Sequence, residues 1–265
     1  MNAGRTVADL TVTVVMPAFN EADGIGGFLE EVSEELNDRV GKLGIVVVDD
    51  CSTDETAAVV GAVAQESRTH VTYQCNTENQ GHGPTALAAY RAGLESGSDI
   101  VVHVDGDGQF EVEDIMKAIS IIASGADAVV GVRTGRTDPW FRQVISRALR
   151  SYLRLISGVK ASDPNCPLRA YRSDVLRDLL DFVPANSMVP SIYLTILDHR
   201  KVGTLVDLPV RSIPRRGVGS VGTTWGRQRR QILPSRRLVK FVLRAARESA
   251  FTIPRLGARS TGRSG

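Results

Sequence analysis

The chain has 265 residues, of which 42% are hydrophobic and 23% are charged, proportions that are ordinary for a globular protein and allow one large domain. Its three cysteines are odd in number and widely spaced, which argues against a disulfide framework or a zinc site and favours a reducing compartment. No apolar run approaches the roughly 18 residues of a membrane-spanning helix, and the first ten residues lack a signal peptide's apolar core, so we expect a cytoplasmic location.

The charge is distributed unevenly along the chain. The formal net charge is +2, but residues 211–265 carry 13 Arg and one Lys against the single acid Glu248. That segment therefore has a charge of +13, which leaves −11 for residues 1–210. Such asymmetry predicts an anionic partner for the basic end, for example a membrane surface, a phosphorylated acceptor or nucleic acid.

The first 132 residues alternate apolar β-rich runs with helical patterns. Short Val- and Ile-rich runs predict strands buried on both faces at residues 12–16, 45–48, 71–75, 100–104 and 128–132. Helical patterns lie between them at residues 23–38, 54–66, 84–96 and 112–124. Successive βα units predict an α/β fold with a mostly parallel sheet, in which ligands bind beyond the carboxyl ends of the strands.

Polar clusters follow three of these predicted strands. They are Pro17-Ala-Phe-Asn-Glu21, Asp49-Asp50 and Asp105-Gly-Asp107. After the second cluster, Ser52 or Thr53 is suited to cap the next helix. Clusters at three strand ends of one sheet can converge on a single crevice, and this coincidence favours a binding site over three unrelated turns.

The third cluster, Asp105-Gly-Asp-Gly-Gln109, places three oxygen ligands within five residues. Hard cations such as Mg²⁺ or Mn²⁺ are usually held by one or two carboxylates together with substrate phosphates, so this cluster suits a metal–diphosphate complex. Gly106 and Gly108 allow the backbone to turn sharply. The alternative is an acidic surface turn, in which Asp-Gly pairs are common, and the D-x-D spacing alone does not decide between the two.

Three stretches of this chain resemble the nucleotide-sugar half of family 2 glycosyltransferases, which have the GT-A fold. They are Val14-Val-Met-Pro-Ala-Phe-Asn-Glu21, Val47-Val-Asp-Asp-Cys-Ser-Thr-Asp-Glu-Thr56 and Val104-Asp-Gly-Asp-Gly-Gln109. A later stretch resembles the branch of the family that makes dolichyl- or polyprenyl-phosphate sugars. It is Ser162-Asp-Pro-Asn-Cys-Pro-Leu-Arg-Ala-Tyr-Arg172. The resemblance covers about residues 10–220 and implies a GT-A-like, Rossmann-like sheet flanked by helices.

The resemblance also implies roles for individual residues. The nucleoside pocket would contain Pro17, Phe19, Glu21, Val48 and Asp50. Asp105, Gly106 and Asp107 would meet the sugar diphosphate, and Asp107 and Gln109 would hold the metal with Asp105 beside them. Arg133 matches an arginine that the family uses on the donor, whereas without the resemblance a solvated surface arginine is the simpler interpretation.

The implied reaction is a single displacement with inversion at the anomeric carbon. Loss of the nucleoside diphosphate leaves negative charge, which a divalent metal and arginines stabilise. Asp107 and Arg133 are therefore the catalytic residues that the resemblance implies for the donor side.

The acceptor is suggested by a missing feature. Family members that glycosylate a hydroxyl generally carry a carboxylate base in the acceptor half, but residues 182–197 contain no acid. A phosphate monoester is already anionic near neutral pH, so the absence favours a lipid phosphate. Asp163 is the catalytic candidate if the acceptor is a hydroxyl; its alternative role is to orient Arg169 or to cap a turn, and both remain open.

The pattern of residues 134–172 predicts a connecting segment followed by a helix with one apolar face. This face could either pack onto the sheet or rest on a membrane. Beyond residue 210 the resemblance weakens. The stretch Arg215-Arg-Gly-Val-Gly-Ser-Val221 keeps the arginine, glycine and serine of the family, but Val221 stands near the position where the family has a lysine. Either Arg215 or Arg216 would contact the donor. Residues 236–248 predict a basic amphipathic helix that suits an anionic bilayer or, alternatively, docks on the protein's own core.

These patterns predict a GT-A domain over residues 1–222, a basic helical extension over 223–251 and a disordered tail over 252–265. The predicted activity is transfer of a sugar from a nucleotide diphosphate sugar to a polyprenyl phosphate, with Mg²⁺ or Mn²⁺, by a peripheral membrane enzyme. The alternatives are transfer to a hydroxyl of a small molecule or glycan, and a non-catalytic nucleotide-sugar-binding membrane module. Nucleic acid is disfavoured as a partner because few aromatic residues accompany the tail arginines.

Overall fold

A computed structural model of the chain describes residues 6–134, 140–211 and 213–216, with side chains omitted for residues 140–145. The predicted extension at 223–251, its helix at 236–248 and the tail at 252–265 lie outside these ranges. Within them, no helix combines the length and the apolar character needed to span a bilayer. All three cysteines are described, and each is a free thiol.

The described residues form one seven-stranded sheet covered by helices on both faces. The strands are β1 (Thr11–Ala18), β2 (Lys42–Asp49), β3 (His70–Cys75), β4 (Ile100–His103), β5 (Ala128–Thr134), β6 (Arg169–Arg172) and β7 (Leu205–Arg211). The helices are α1 (Ala22–Asn37), α2 (Thr56–Glu66), α3 (His82–Glu95), α4 (Val112–Ala123), α5 (Trp140–Ser157), α6 (Ser173–Leu180) and α7 (Pro190–Lys201). The strand order is β3-β2-β1-β4-β6-β5-β7, and only β6 runs antiparallel to its neighbours.

The mostly parallel α/β sheet predicted from the sequence is therefore confirmed. Each of the five predicted strands and four predicted helices is present, with boundaries that differ by up to three residues. Strands β6 and β7 were not predicted. Strand β6 has only four residues, two of them arginines, so it lacks the apolar run by which a buried strand is recognised.

Alternating residues of β1 belong to two separate cores. Val14 and Met16 pack in the core beneath α1, α2 and α4, whereas Val15 packs in the core beneath α3, α6 and α7. Side chains of successive strand residues point to opposite faces, so an apolar run buried on both sides is the pattern that a covered parallel sheet requires.

Helix α5 places its apolar side chains against the second core. Leu153 is fully buried, and Leu149 and Ile156 are half-buried against the same cluster. Of the two uses predicted for this apolar face, packing on the protein is the one observed. The arginines of the described part of α5 are exposed.

The predicted cap of α2 is wrong. The helix begins at Thr56, and neither Ser52 nor Thr53 caps it. The Ser52 hydroxyl instead donates to Asp49 Oδ1 at 2.5 Å, while Asp54 Oδ1 accepts from the Thr56 backbone N–H at 3.0 Å. A carboxylate inside the turn thus supplies the acceptor that the hydroxyl was expected to provide.

Candidate functional site

The three predicted polar clusters meet at one edge of the sheet. Strand β1 lies between β2 and β4, so the carboxyl ends of these three strands are neighbours. The Asp50 N–H donates to the Ala18 carbonyl at 2.9 Å, and the Gly106 N–H donates to the Pro17 carbonyl at 3.2 Å. The second and third clusters are therefore both tied to the end of β1.

The carboxylates of Asp105 and Asp107 form the acidic centre of this edge. Asp105 Oδ1 is buried and accepts no hydrogen bond from the described residues, and His82 Nε2 lies 3.8 Å from it. Burial and, next, the charge of Asp105 raise the pKa of the Asp107 carboxyl above its usual range. Asp107 Oδ1 accepts from the Gln109 N–H at 3.2 Å, which fixes the turn.

These residues fit a hard divalent cation. Asp105 Oδ1 has no hydrogen-bond partner among the described residues, and the pKa of Asp107 is raised although Arg133 opposes the shift, so a bound ion would supply positive charge that these two carboxylates need. Across the described ranges, however, no group of three or more His, Cys, Asp or Glu residues is arranged to hold an ion. The protein would thus provide part of a coordination sphere, and donor phosphate oxygens would complete it.

The residues implied for the nucleoside pocket have different surroundings. Glu21 and Asp50 are buried, and Phe19 is half-buried. Val48 pairs in register with Pro17, and its side chain packs in the core on the α3 side. Only the backbone of Val48 is therefore free to line a pocket on the strand edge.

The Asp50 carboxylate holds the loop that leads into α3. It accepts from the backbone N–H groups of Gln80 and Gly81, each at 2.8 Å, and from Asn76 Nδ2 at 3.1 Å. Gly81 has a φ of +89°, a conformation that favours glycine. Asp50 thus positions this loop beside the strand edge, in addition to the nucleoside contact that the resemblance implies.

Two histidines that sequence reasoning left without a role lie near the site, His82 after this loop and His103 at the end of β4. His82 begins α3 and lies beside Asp105. His103 stacks on the Tyr90 ring at 4.6 Å, and its Nδ1 lies 2.8 Å from the Pro167 carbonyl. Burial lowers the pKa of His103 to about 4, so it is neutral at physiological pH.

Arg133 and Asp163 form a two-pronged ion pair near the acidic centre. Arg133 Nε donates to Asp163 Oδ2 at 2.7 Å, and Nη2 donates to Oδ1 at 3.0 Å. The side chains are only 15% and 11% exposed, so the guanidinium is held rigidly. The predicted alternative that Asp163 orients Arg169 is wrong; the arginine that it orients is Arg133.

Arg169 is instead fully buried against α7. Its Nη1 donates to Asp198 Oδ2 at 2.8 Å, and its Nη2 donates to Thr195 Oγ1 at 2.7 Å and to the Pro164 carbonyl at 3.0 Å. Burial raises the pKa of the Asp198 carboxyl to about 6 despite the arginine. Because Pro164 follows Asp163, this network also braces the turn that holds Arg133.

We expect Arg169→Leu to lower the free energy of unfolding by about 3–5 kcal/mol, since it leaves a carboxylate buried without its partner. The matched control is Arg172→Leu on the same strand, because Arg172 pairs with Asp127 and Asp174 while 41% exposed. Exposed pairs contribute about 0–1 kcal/mol, so the control should lose much less. Urea unfolding measures both values, and equal losses would contradict the bracing role of Arg169.

Residues 213–216 cross the turn that carries the acidic centre. The Ile213 N–H donates to the Gln109 carbonyl and the Arg216 N–H donates to the Asp107 carbonyl, each at 3.1 Å. Arg215 pairs with Glu21, whereas Arg216 pairs with Glu31 on α1. Of the two arginines that the sequence left undecided, Arg215 is thus the one beside the implied nucleoside pocket.

Comparison with known proteins places these features in a family. The family model described as "Glycosyl transferase family 2" matches residues 13–180. The polyprenol monophosphomannose synthase of Mycolicibacterium smegmatis is 30% identical over 205 residues, which cover 74% of this chain and 75% of that protein. The undecaprenyl-phosphate 4-deoxy-4-formamido-L-arabinose transferase of Edwardsiella ictaluri is 28% identical over 204 residues, 77% of this chain and 60% of that protein. The chain thus spans less than two thirds of that relative's length.

Solved structures give the same fold. The mannosyl-3-phosphoglycerate synthase from Rubrobacter xylanophilus has a TM-score of 0.66 at 18% identity and covers 96% of this chain and 77% of its own. The glucosyl-3-phosphoglycerate synthase from Mycobacterium tuberculosis, in complex with Mn²⁺, uridine diphosphate and glucosyl-3-phosphoglycerate, has a TM-score of 0.57 at 20% identity and covers 83% of this chain and 79% of its own. These similarities confirm the GT-A-like fold.

Proposed function

Because this chain belongs to glycosyl transferase family 2, we propose that it transfers a sugar from a nucleotide diphosphate sugar to a polyprenyl phosphate, with Mg²⁺ or Mn²⁺. The observation that carries the proposal is the meeting of Asp105, Asp107 and Gln109 with the nucleoside-side residues at the carboxyl edge of β1, β2 and β4. The names of the relatives support the acceptor class, since they include polyprenol and undecaprenyl-phosphate sugar transferases.

On the donor side, the residues of this chain bind the diphosphate and stabilise its departure. Asp107 and Gln109, with Asp105, would hold the metal, which supplies positive charge to the leaving nucleoside diphosphate. Arg133 adds a second positive charge, and its pair with Asp163 fixes the guanidinium before the substrate arrives. A preorganised charge of this kind stabilises a developing anion without reorganisation during the reaction.

On the acceptor side, the two candidate carboxylates, Asp163 and Asp198, are both paired with arginines and are not available as a general base. Residues 182–197 contain no acid, and Asp198, which follows them, is buried in its pair with Arg169. Asp163 is occupied by Arg133. A phosphate monoester is ionised near neutral pH and needs no proton removed, so this arrangement supports a phosphate acceptor over a hydroxyl acceptor.

The acceptor is tested with a matched pair of lipids. Purified protein is incubated with a panel of nucleotide sugars, Mn²⁺ and either a polyprenyl phosphate or the corresponding polyprenol, and products are detected by mass spectrometry. We expect glycosylation of the phosphate alone. Transfer to the polyprenol or to a glycan hydroxyl, with none to the phosphate, would favour the hydroxyl alternative.

We further expect Asp163→Asn to lower the transfer rate by less than about 10²-fold, because loss of a general base typically costs about 10²–10⁴-fold. Asn keeps one oxygen acceptor for Arg133 and removes the charge. The pH dependence of kcat/KM provides the second readout, since a positioning role leaves the shape of the profile unchanged. Loss of the limb at low pH together with a larger rate defect would identify Asp163 as the base.

A further inference from the structure

A basic groove of about 280 Å³ lies between α5 and the loop that follows it. Its lining residues are Arg150, Ser151, Arg154, Lys160, Ala161 and Ser162. Three of these six carry positive charge and none carries negative charge. We call this feature the α5 groove.

The cations of the α5 groove are not neutralised within the described part of the chain. Arg154 and Lys160 are exposed and have no carboxylate partner there, and Arg150 donates only to the Ser162 carbonyl at 3.3 Å. The concentration of one sign of charge contrasts with the balance of −11 over residues 1–210. A concave surface lined by uncompensated cations attracts anionic groups.

Helix α5, which carries two of these cations, also carries an exposed apolar side chain. Leu155 is 85% exposed and follows Arg154, and no other large apolar residue with a described side chain is classed as exposed. One exposed leucine needs no special explanation by itself. Together with Arg150 and Arg154 on the same helix and Lys160 in the following loop, however, it gives the combination of apolar and basic side chains that suits the headgroup region of an anionic bilayer.

The α5 groove also adjoins the donor side of the site. Ser162, which lines it, is followed by Asp163, the carboxylate that holds Arg133. The Ser162 hydroxyl donates to Asp207 Oδ2 on β7 at 2.8 Å, which anchors the loop to the sheet edge. A membrane bound at the groove would therefore lie next to the residues that act on the donor.

From these contacts we propose that the α5 groove and Leu155 dock the protein on anionic phospholipid headgroups. The purpose of this docking, to present the site to a lipid acceptor, rests on the proposed function. The surface differs from the predicted helix at 236–248, which lies outside the described residues. Each cation near an anionic bilayer contributes about fivefold to the partition coefficient, so three should contribute on the order of 100-fold.

The test compares two triple variants of the full-length protein by co-sedimentation with phosphatidylcholine vesicles that contain or lack phosphatidylglycerol. The first variant replaces Arg150, Arg154 and Lys160 with Gln. The matched control makes the same charge change at exposed cations elsewhere, Lys42, Arg68 and Arg91. We expect the first variant to lose on the order of 100-fold in binding to phosphatidylglycerol vesicles, with a much smaller loss in the control.

Leu155 supplies an independent arm of the test. Leu155→Asp should weaken binding to phosphatidylglycerol vesicles, whereas Leu155→Met, which keeps an apolar side chain, should not. Thermal unfolding checks that each variant is folded, and exposed positions of this kind should leave the melting temperature nearly unchanged.

Equal vesicle binding by the two triple variants would overturn the proposal and assign binding to another surface. Selective loss of oligonucleotide binding, with vesicle binding intact, would overturn it in favour of nucleic acid. Turnover of a water-soluble short-chain polyprenyl phosphate, measured without membranes, separates the two proposals: the α5-groove variant should retain it. Absence of that turnover in the wild type would contradict the proposed function and leave the vesicle result standing.

Discussion

Asp107→Asn is expected to reduce sugar transfer by about 10²–10³-fold or more, the typical effect of removing one group that stabilises developing charge. The substitution keeps the size of the side chain and removes the charge that would hold the metal. Steady-state kinetics with a nucleotide sugar and a polyprenyl phosphate, with Mn²⁺ and after EDTA treatment, measures the effect. We expect wild-type turnover to be lost in EDTA and restored by added Mn²⁺ or Mg²⁺.

The same substitution should not damage the fold. Burial and the neighbouring Asp105 disfavour the charged form of Asp107, so a neutral amide relieves an unfavourable interaction. The free energy of unfolding should therefore stay the same or rise while activity falls. Asp178→Asn, at an exposed position on α6, is the matched control and should leave both unchanged. Wild-type turnover that persists in EDTA, or a fully active Asp107→Asn variant, would contradict the metal assignment.

Arg133→Gln is the second substitution expected to have a large effect, with a loss of about 10²–10³-fold in kcat. The guanidinium is held by two hydrogen bonds to Asp163, so its charge is fixed before the donor binds. Arg133→Lys keeps the charge but cannot form the two-pronged pair, and it should recover only part of the activity. Rates with saturating donor separate this loss of kcat from weaker donor binding.

Stability distinguishes the two functions of this arginine. Arg133→Gln removes the guanidinium that pairs with the largely buried Asp163 carboxylate, which should cost on the order of 2 kcal/mol, less than for a fully buried pair. The double variant Arg133→Gln/Asp163→Asn removes both charges and should recover much of that stability without recovering activity. Recovery of activity in the double variant would show that the single variant failed through misfolding and would remove Arg133 from the catalytic residues.

The sequence by itself was sufficient for five of the seven strands and for the strand-end clusters. Runs such as residues 45–48 and 100–104 are short, apolar and β-branched, and their burial on both faces follows from that local pattern. Because parallel strands share one carboxyl edge, the clusters after β1, β2 and β4 were expected to meet, and the backbone contacts of Asp50 and Gly106 with β1 confirm it. The resemblance to family 2 glycosyltransferases rests on these same segments.

The choice of charge partners was decided only by the tertiary structure. Asp163 is 30 residues from Arg133 and six from Arg169, and sequence proximity favoured the wrong arginine. Strand β6 lies between β4 and β5, which buries Arg169 against α7, and a buried guanidinium requires a carboxylate such as Asp198. Partner choice of this kind depends on burial and on distances across the fold, which no local pattern encodes.

The α5 groove depended on the tertiary structure in the same way. Arg150 and Arg154 belong to a helix and Lys160 to the loop that follows, and in the sequence they are three of 32 basic residues. Packing of Leu149, Leu153 and Ile156 against the second core fixes the rotation of α5 and turns its arginines outward. Helical periodicity determined that α5 has an apolar face, but only the packing decided that the protein covers this face while its basic face, with Leu155, remains open to solvent.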